Sequence, residues 1–232
     1  MNDPSVMSLT MDFLDLMPGQ RILDVGAGTG TVLENALSAC PSLARCVAVD
    51  LSQPMLTTIR DLRIHRAVQD AHELSFPDAS FELAICRQVL HYLEDIDRCL
   101  GEINRVLAQR GSVVIGQITP FNEKDELWWK QILSARQPLR QHFLTLNDIV
   151  TMLLRHSFVV VRVSQIRAKE SLNSWLGRYQ DSQEQVDAVR MLHVSAPVEY
   201  QDIHRFREIN GDLVFDNCWT FIRACKSSYF DV

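Results

Sequence analysis

Arg21 to Gly30 reads RILDVGAGTG. Ile22, Leu23 and Val25 form a short apolar, partly β-branched run, the composition of a strand buried on both faces of a parallel sheet. The run stops at Gly26, Gly28 and Gly30, which alternate with Ala27 and Thr29. Thr31 to Cys40 follows with Val32, Leu33, Ala36 and Leu37 at helical spacing, so the stretch predicts strand, glycine turn and helix. Glycine admits backbone conformations closed to other residues and lets a ligand touch main chain. The helix N-terminus beyond the turn offers N–H groups to a polar ligand, so a nucleotide-like cofactor is expected across it.

Spacing narrows the choice of cofactor. A dinucleotide fingerprint, G-x-G-x-x-G, would end at position 31, where this chain has Thr31. Asp24 stands two positions before the first glycine. An acid there is unfavourable beside a pyrophosphate and favourable beside a cation.

Downstream, Arg45 to Asp50 (RCVAVD) reads as a second short strand ending in an acid. Two acceptor oxygens at a carboxyl strand end suit both hydroxyls of a ribose. Ser52 and Pro54 mark a helix start. After a third strand, Ile64 to Val68, comes Asp70-Ala71-His72-Glu73-Leu74-Ser75-Phe76-Pro77. Phe81 to Cys86 is a fourth strand, followed by Arg87-Gln88-Val89-Leu90-His91-Tyr92-Leu93. Ile96, Cys99, Leu100, Ile103, Val106 and Leu107 give an amphipathic helix over 95–109 with Gly111 as its C-cap, and Ser112 to Ile118 a fifth strand.

LDVGAGTG resembles the first motif of the class I S-adenosylmethionine-dependent methyltransferases, and the later segments keep that family's order through about the first half of the chain. The resemblance implies that the loop with Asp24, Gly26, Gly28 and Gly30 holds the amino acid portion of S-adenosylmethionine. It implies that Asp50 takes the ribose, that Met55 contacts the adenine, that Leu51 belongs to the same cofactor site, and that Asp70 and Ala71 read the adenine edge. Arg87 is expected to receive the cofactor's ammonium through its main chain, and an acidic substrate through its side chain. The run VLHYL is similar to the family's V-L-H-H-L, with Tyr92 for the second histidine. His91 is then either a base for an acceptor hydroxyl or a structural histidine. Further departures are Ser75 for a proline, Glu82 for an aspartate and Ser112 for a glycine.

The resemblance implies an α/β, Rossmann-like, doubly wound sheet of seven mostly parallel strands, the last antiparallel. At 232 residues one domain is expected: 1–20 an N-terminal helical segment, 21–118 the cofactor-binding core, and 119–145 and 168–211 insertions that form a lid or set substrate specificity. The N-terminal helix either lies over the cofactor edge or packs beneath the sheet. Trp128, Trp129, Arg136 and Arg140 in the first insertion, and Trp175, Tyr179, His193, Tyr200 and His204 in the second, either cap a pocket or pack on the sheet. Leu146 to His156 is a helix capped by Thr145 or Asn147, Phe158 to Val163 a sixth strand, and Asp212 to Cys225 a last strand behind the turn Asn210-Gly211.

The formal charge of −6 gives no general attraction to nucleic acid. Six cysteines without a C-x-x-C pair, and histidines without an H-x-x-x-H cluster, predict reduced thiols and no metal. No run approaches a membrane span and the N-terminus lacks signal-peptide character, so a cytoplasmic address is expected. The reaction expected is in-line methyl transfer to a small molecule, aromatic or acidic, assisted by His91 if the acceptor must lose a proton. The competing readings are a non-catalytic protein that binds the same cofactor, and a nucleic-acid methyltransferase. The latter is weakened by Cys86-Arg87-Gln88-Val89 standing where base-amino methylation places an Asn or Asp before Pro-Pro-aromatic. The oligomeric state stays open.

Overall fold

A computed structural model describes residues 3–177 and 182–227; Tyr179 lies outside the described residues. In chain order the elements are α1 (Pro4–Leu14), β1 (Arg21–Val25), α2 (Thr31–Ala39), β2 (Arg45–Asp50), α3 (Gln53–Leu56), β3 (Ile64–Val68), β4 (Phe81–Arg87), α4 (Ile96–Val106), β5 (Leu107–Thr119), α5 (Glu123–Arg136), α6 (Leu146–Arg155), β6 (Phe158–Ser171), α7 (Leu172–Leu176), α8 (Gln183–Val194), α9 (Val198–Ile203), β7 (Arg207–Ile209) and β8 (Asp212–Lys226). A 3₁₀ turn, Leu90–Tyr92, lies between β4 and α4.

The sheet runs β3-β2-β1-β4-β5-β8-β6. Pairing is parallel from β3 through β5, while β8 is antiparallel to both β5 and β6. The main path therefore has seven strands with the last one reversed, as the motif order led us to expect. The short β7 adds an eighth, because Asn210 and Gly211 both take positive φ (54° and 76°) and fold β7 back on β8 as a two-residue hairpin.

Both sheet faces are covered. Ile22 faces one apolar cluster with α1, α2, α5 and the second insertion, and Leu23 and Val25 face the other with α4 and α6. That two-sided burial is why β1 reads as a continuous apolar run. α4 buries Ile96, Cys99, Leu100, Ile103 and Val106, each large apolar side chain contributing about 1.5–3 kcal/mol. α1 packs against α2 and against β5, β6 and β8. Arg223 of β8 donates to the carbonyls of Phe13 and Leu14 at 3.0 Å, closing the end of α1.

Several boundaries differ from the sequence reading. α4 has no glycine cap: Leu107 is already extended and pairs with Phe81, and the left-handed residue is Arg110 (φ 62°), not Gly111. β6 continues beyond Val163 to Ser171 because β8 pairs with it along that whole length, so the second insertion starts at Leu172. Thr145, not Asn147, caps α6, in a reciprocal capping box with Asp148.

Candidate active site at the carboxyl edge of the sheet

β2 and β4 flank β1, so the strand order reverses at the carboxyl end of β1, where open α/β sheets form their ligand crevice. Gly26, Gly28 and Gly30 all have positive φ (69°, 55° and 75°). The N–H groups of Gly26 and Ala27 donate to the Val49 carbonyl at 2.8 and 2.9 Å, tying the turn to β2. A Cβ on Gly26 would stand 2.1 Å from Val89 Cγ2, and one on Gly30 2.6 Å from Ile59 Cγ1. The turn is thus wedged between its neighbours as well as strained for any other residue.

Asp50 closes this crevice. Its Oδ2 accepts from Gly28 N at 2.8 Å and its Oδ1 from Ser52 N at 2.8 Å. Each oxygen keeps capacity for a further donor. Beside it Leu51 and Met55 are 69% and 48% exposed, large apolar side chains left in water at the crevice.

Asp70 and the buried Ala71 follow β3. His72 Nε2 accepts from Asp95 N at 3.2 Å, which puts the ring proton on Nδ1, and Nδ1 donates to Asp70 Oδ1 at 2.5 Å. Asp70 Oδ1 also accepts from His72 N at 2.9 Å. The carboxyl is held below its ordinary range: the His72 N–H is the leading cause, and desolvation opposes it. His72 was not singled out in the sequence; its only signal there is an i+2 spacing from Asp70.

Asp24 is buried, and its Oδ2 has no hydrogen-bond partner. Burial pushes its carboxyl up to about 7, the Arg87 charge pulling against that shift and the Asp50 charge adding to it. Arg87 ends β4 opposite Gly116 of β5. Its stem lies over that glycine, where a Cβ would come within 2.9 Å of Arg87 Cγ, and its guanidinium sits 6.0 Å from the Trp219 ring centre. Burial lowers the guanidinium from its ordinary value, and Asp24 partly offsets this. Gln88, in a left-handed conformation (φ 61°), donates its N–H to Gly116 O at 2.8 Å, while its buried Nε2 has no partner.

His91 is fully buried. Gln117 Nε2 donates to its Nδ1 at 2.8 Å, so the ring proton is on Nε2, a buried position with no hydrogen-bond partner. Burial, then the charge of Arg140, pull its pKa down to about 3, against the Gln117 hydrogen bond. The ring leans on Tyr92 at 4.1 Å, and Tyr92 Oη accepts from Gln137 Nε2 at 2.7 Å. Arg140 Nε in turn donates to Gln137 Oε1 at 3.0 Å. The first insertion is therefore folded down onto His91. Gln117 was missed, although a glutamine inside the apolar strand SVVIGQIT is the kind of buried polar residue that needs a reason.

These residues fit S-adenosylmethionine: an orphaned buried carboxylate for an ammonium, a fixed two-oxygen acid for vicinal hydroxyls, and apolar side chains beside it for a purine face. The model of the methyltransferase domain family matches residues 23–115, from β1 into β5. Demethylmenaquinone methyltransferase of Corynebacterium efficiens is 32% identical over 168 residues, 72% of each chain. The chain belongs to the class I S-adenosylmethionine-dependent methyltransferases. Malonyl-[acyl-carrier protein] O-methyltransferase of Halorhodospira halophila is 39% identical to this methyltransferase over 60% of its length, the match spanning 48% of the relative. The match to the YcgJ methyltransferase of Bacillus subtilis spans 64% of that relative's sequence. The YcgJ crystal structure superposes with a TM-score of 0.85 at 20% identity, covering 97% of the methyltransferase and 99% of that chain, and shows the same fold. S-adenosylmethionine is the methyl donor of the methyltransferase.

Proposed function

We propose that the methyltransferase transfers a methyl group to a small-molecule acceptor bound beside the end of β4, under the two insertions. The observation that carries this reading is Asp50, fixed by Gly28 N and Ser52 N at 2.8 Å each with acceptor capacity left over at the crevice. In this reading Asp24 faces the cofactor's ammonium, and Gly26, Gly28 and Gly30 let the amino acid portion lie against main chain. Asp50 takes the ribose hydroxyls, Leu51 and Met55 cover the adenine, Asp70 and the Ala71 N–H read its edge, and the Arg87 main chain closes the far end.

When bound, S-adenosylmethionine supplies a methyl group on a positively charged sulfur, a charge lost during transfer. Alignment and exclusion of water therefore do much of the work. Asp24 meets the ammonium in its ionised form, which burial disfavours until the cation is in place. His91 is neutral at physiological pH and presents Nε2–H, so it orients an acceptor oxygen as a hydrogen-bond donor. Base assistance requires the other tautomer, reached if Gln117 turns its Oε1 to Nδ1.

A small-molecule acceptor fits relatives named for demethylmenaquinone, and the charge of −6 gives no support for a polynucleotide. The test is transfer of tritiated methyl from S-adenosylmethionine to a cell extract, with and without nuclease. Label in a small, nuclease-resistant product supports the reading; cofactor binding with no labelled product supports the non-catalytic alternative. His91→Ala is expected to bind S-adenosylhomocysteine as native while turnover falls about 10²-fold. Undiminished turnover would leave His91 a structural histidine.

A further inference from the structure

We propose that the Arg87 side chain receives a carboxylate carried by the methyl acceptor. The inference rests on the reading of the crevice as the S-adenosylmethionine site.

A guanidinium offers five N–H donors in a planar fork, yet Arg87 donates to no acceptor among the described residues. By contrast, Arg105 binds Glu102, Asp78 and two main-chain carbonyls, and Arg21 binds Glu82. Arg87 has an acid in its surroundings, Asp24, but forms no ion pair with it, and that carboxyl is pushed up toward neutrality. A half-buried cation without hydrogen bonds or a committed counter-ion is costly unless a ligand provides them.

The surroundings choose the ligand. Gln88 Nε2 and His91 Nε2, one and four residues further along, are buried donors without partners. Donors close together in sequence and without matching acceptors suit an anion, and a carboxylate matches the guanidinium fork with two parallel hydrogen bonds.

Two carboxylates are available, that of the acceptor and that of the cofactor itself. The Arg87 stem crosses Gly116 on β5 and its charged end reaches Trp219 on β8. Both strands lie on the far side of β4 from β1 and its glycine turn. The guanidinium therefore lies toward the acceptor side, 6.0 Å from the Trp219 ring centre.

The test uses the full chain, tritiated S-adenosylmethionine and a cell extract split by anion exchange into anionic and non-anionic small molecules. Native protein is expected to label an acceptor from the anionic pool. Arg87→Gln should cut that labelling at least about 100-fold, Arg87→Lys should restore part of it, and both should bind S-adenosylhomocysteine within about threefold of native. Label arising only from the non-anionic pool, or an Arg87→Gln protein that labels the anionic pool as well as native does, overturns the proposal. A loss of S-adenosylhomocysteine affinity beyond about tenfold in Arg87→Gln overturns it in favour of the cofactor's own carboxylate. Native protein that binds S-adenosylhomocysteine but labels neither pool sinks the proposed function and this inference with it.

Discussion

Asp50 and Asp24 are both acids at a strand end, and burial makes them different instruments. Asp50 is half-buried, with one main-chain N–H on each oxygen, and Asp50→Ala removes the acceptors while freeing Gly28 N and Ser52 N. Its expected cost is about 1–3 kcal/mol in binding S-adenosylhomocysteine, with a lower melting temperature of the ligand-free protein. Asp24 has its carboxyl pushed up to about 7 by burial. The folded protein therefore binds more protons than the unfolded chain between the ordinary value of 3.8 and about 7, and this residue's contribution to stability declines as pH rises through that window. Asp24→Asn should flatten that decline in urea titrations at pH 5 and pH 8. A ligand with an ammonium selects the ionised form, so native affinity for S-adenosylmethionine should rise from pH 6 to pH 8, and Asp24→Asn should lose the rise. Equal slopes in the two proteins would separate Asp24 from the cofactor. Both acids were legible in the sequence because spacing from a glycine or a strand end fixes them. The proton affinity of Asp24 was not, since it follows from burial by elements distant in the chain, and the same holds for His91, whose partner Gln117 lies on β5.

Between elements, Asp125 joins the two insertions through His204. It is fully buried at the start of α5, accepts from Phe121 N at 2.9 Å and Asn122 N at 2.8 Å, and faces His204 Nε2 at 3.0 Å. His204 Nδ1 faces the Asp216 carbonyl at 2.9 Å, so the ring is held between α5 and β8. Burial alone would raise the Asp125 carboxyl, but the hydrogen bonds from His204, Phe121 and Asn122 outweigh it and hold it below its ordinary value. Asp125→Ala strips Phe121 N, Asn122 N and His204 Nε2 of their shared acceptor and should cost about 1–3 kcal/mol in urea unfolding. A cost below about 1 kcal/mol would mean that the insertions are held otherwise. At the glycine turn, Gly26→Ala should destabilise the fold, and Val89→Ala should recover part of the loss by retracting the methyl groups that meet the new Cβ; additive losses in the double variant would contradict that packing. The helices and strands of the first half were readable from periodicity and turn residues. The end of α4 and the length of β6 were not, because strand pairing set them: Leu107 joins the sheet at Phe81, and β6 follows β8 to Ser171.

For the molecule as a whole, the cofactor is assigned to the ends of β1, β2 and β3 and the segments after them, with the Arg87 main chain of β4, while the acceptor is assigned to β4, β5, β8 and the insertions. That division explains what the sequence disclosed. The cofactor side is local, each residue sitting within a few positions of a strand end, and so its motifs are contiguous. The acceptor side draws on Arg87, His91, Gln117, Gln137 and Trp219, which only the folded sheet gathers. The central claim is that Asp50 and its neighbours form an S-adenosylmethionine crevice at the switch point of the sheet. Isothermal titration of S-adenosylhomocysteine into folded native protein and into Asp50→Ala tests it most directly. One site per chain is predicted, weakened about 5-fold to 150-fold in the variant; no heat from the native protein, or equal affinities for the two, would contradict it.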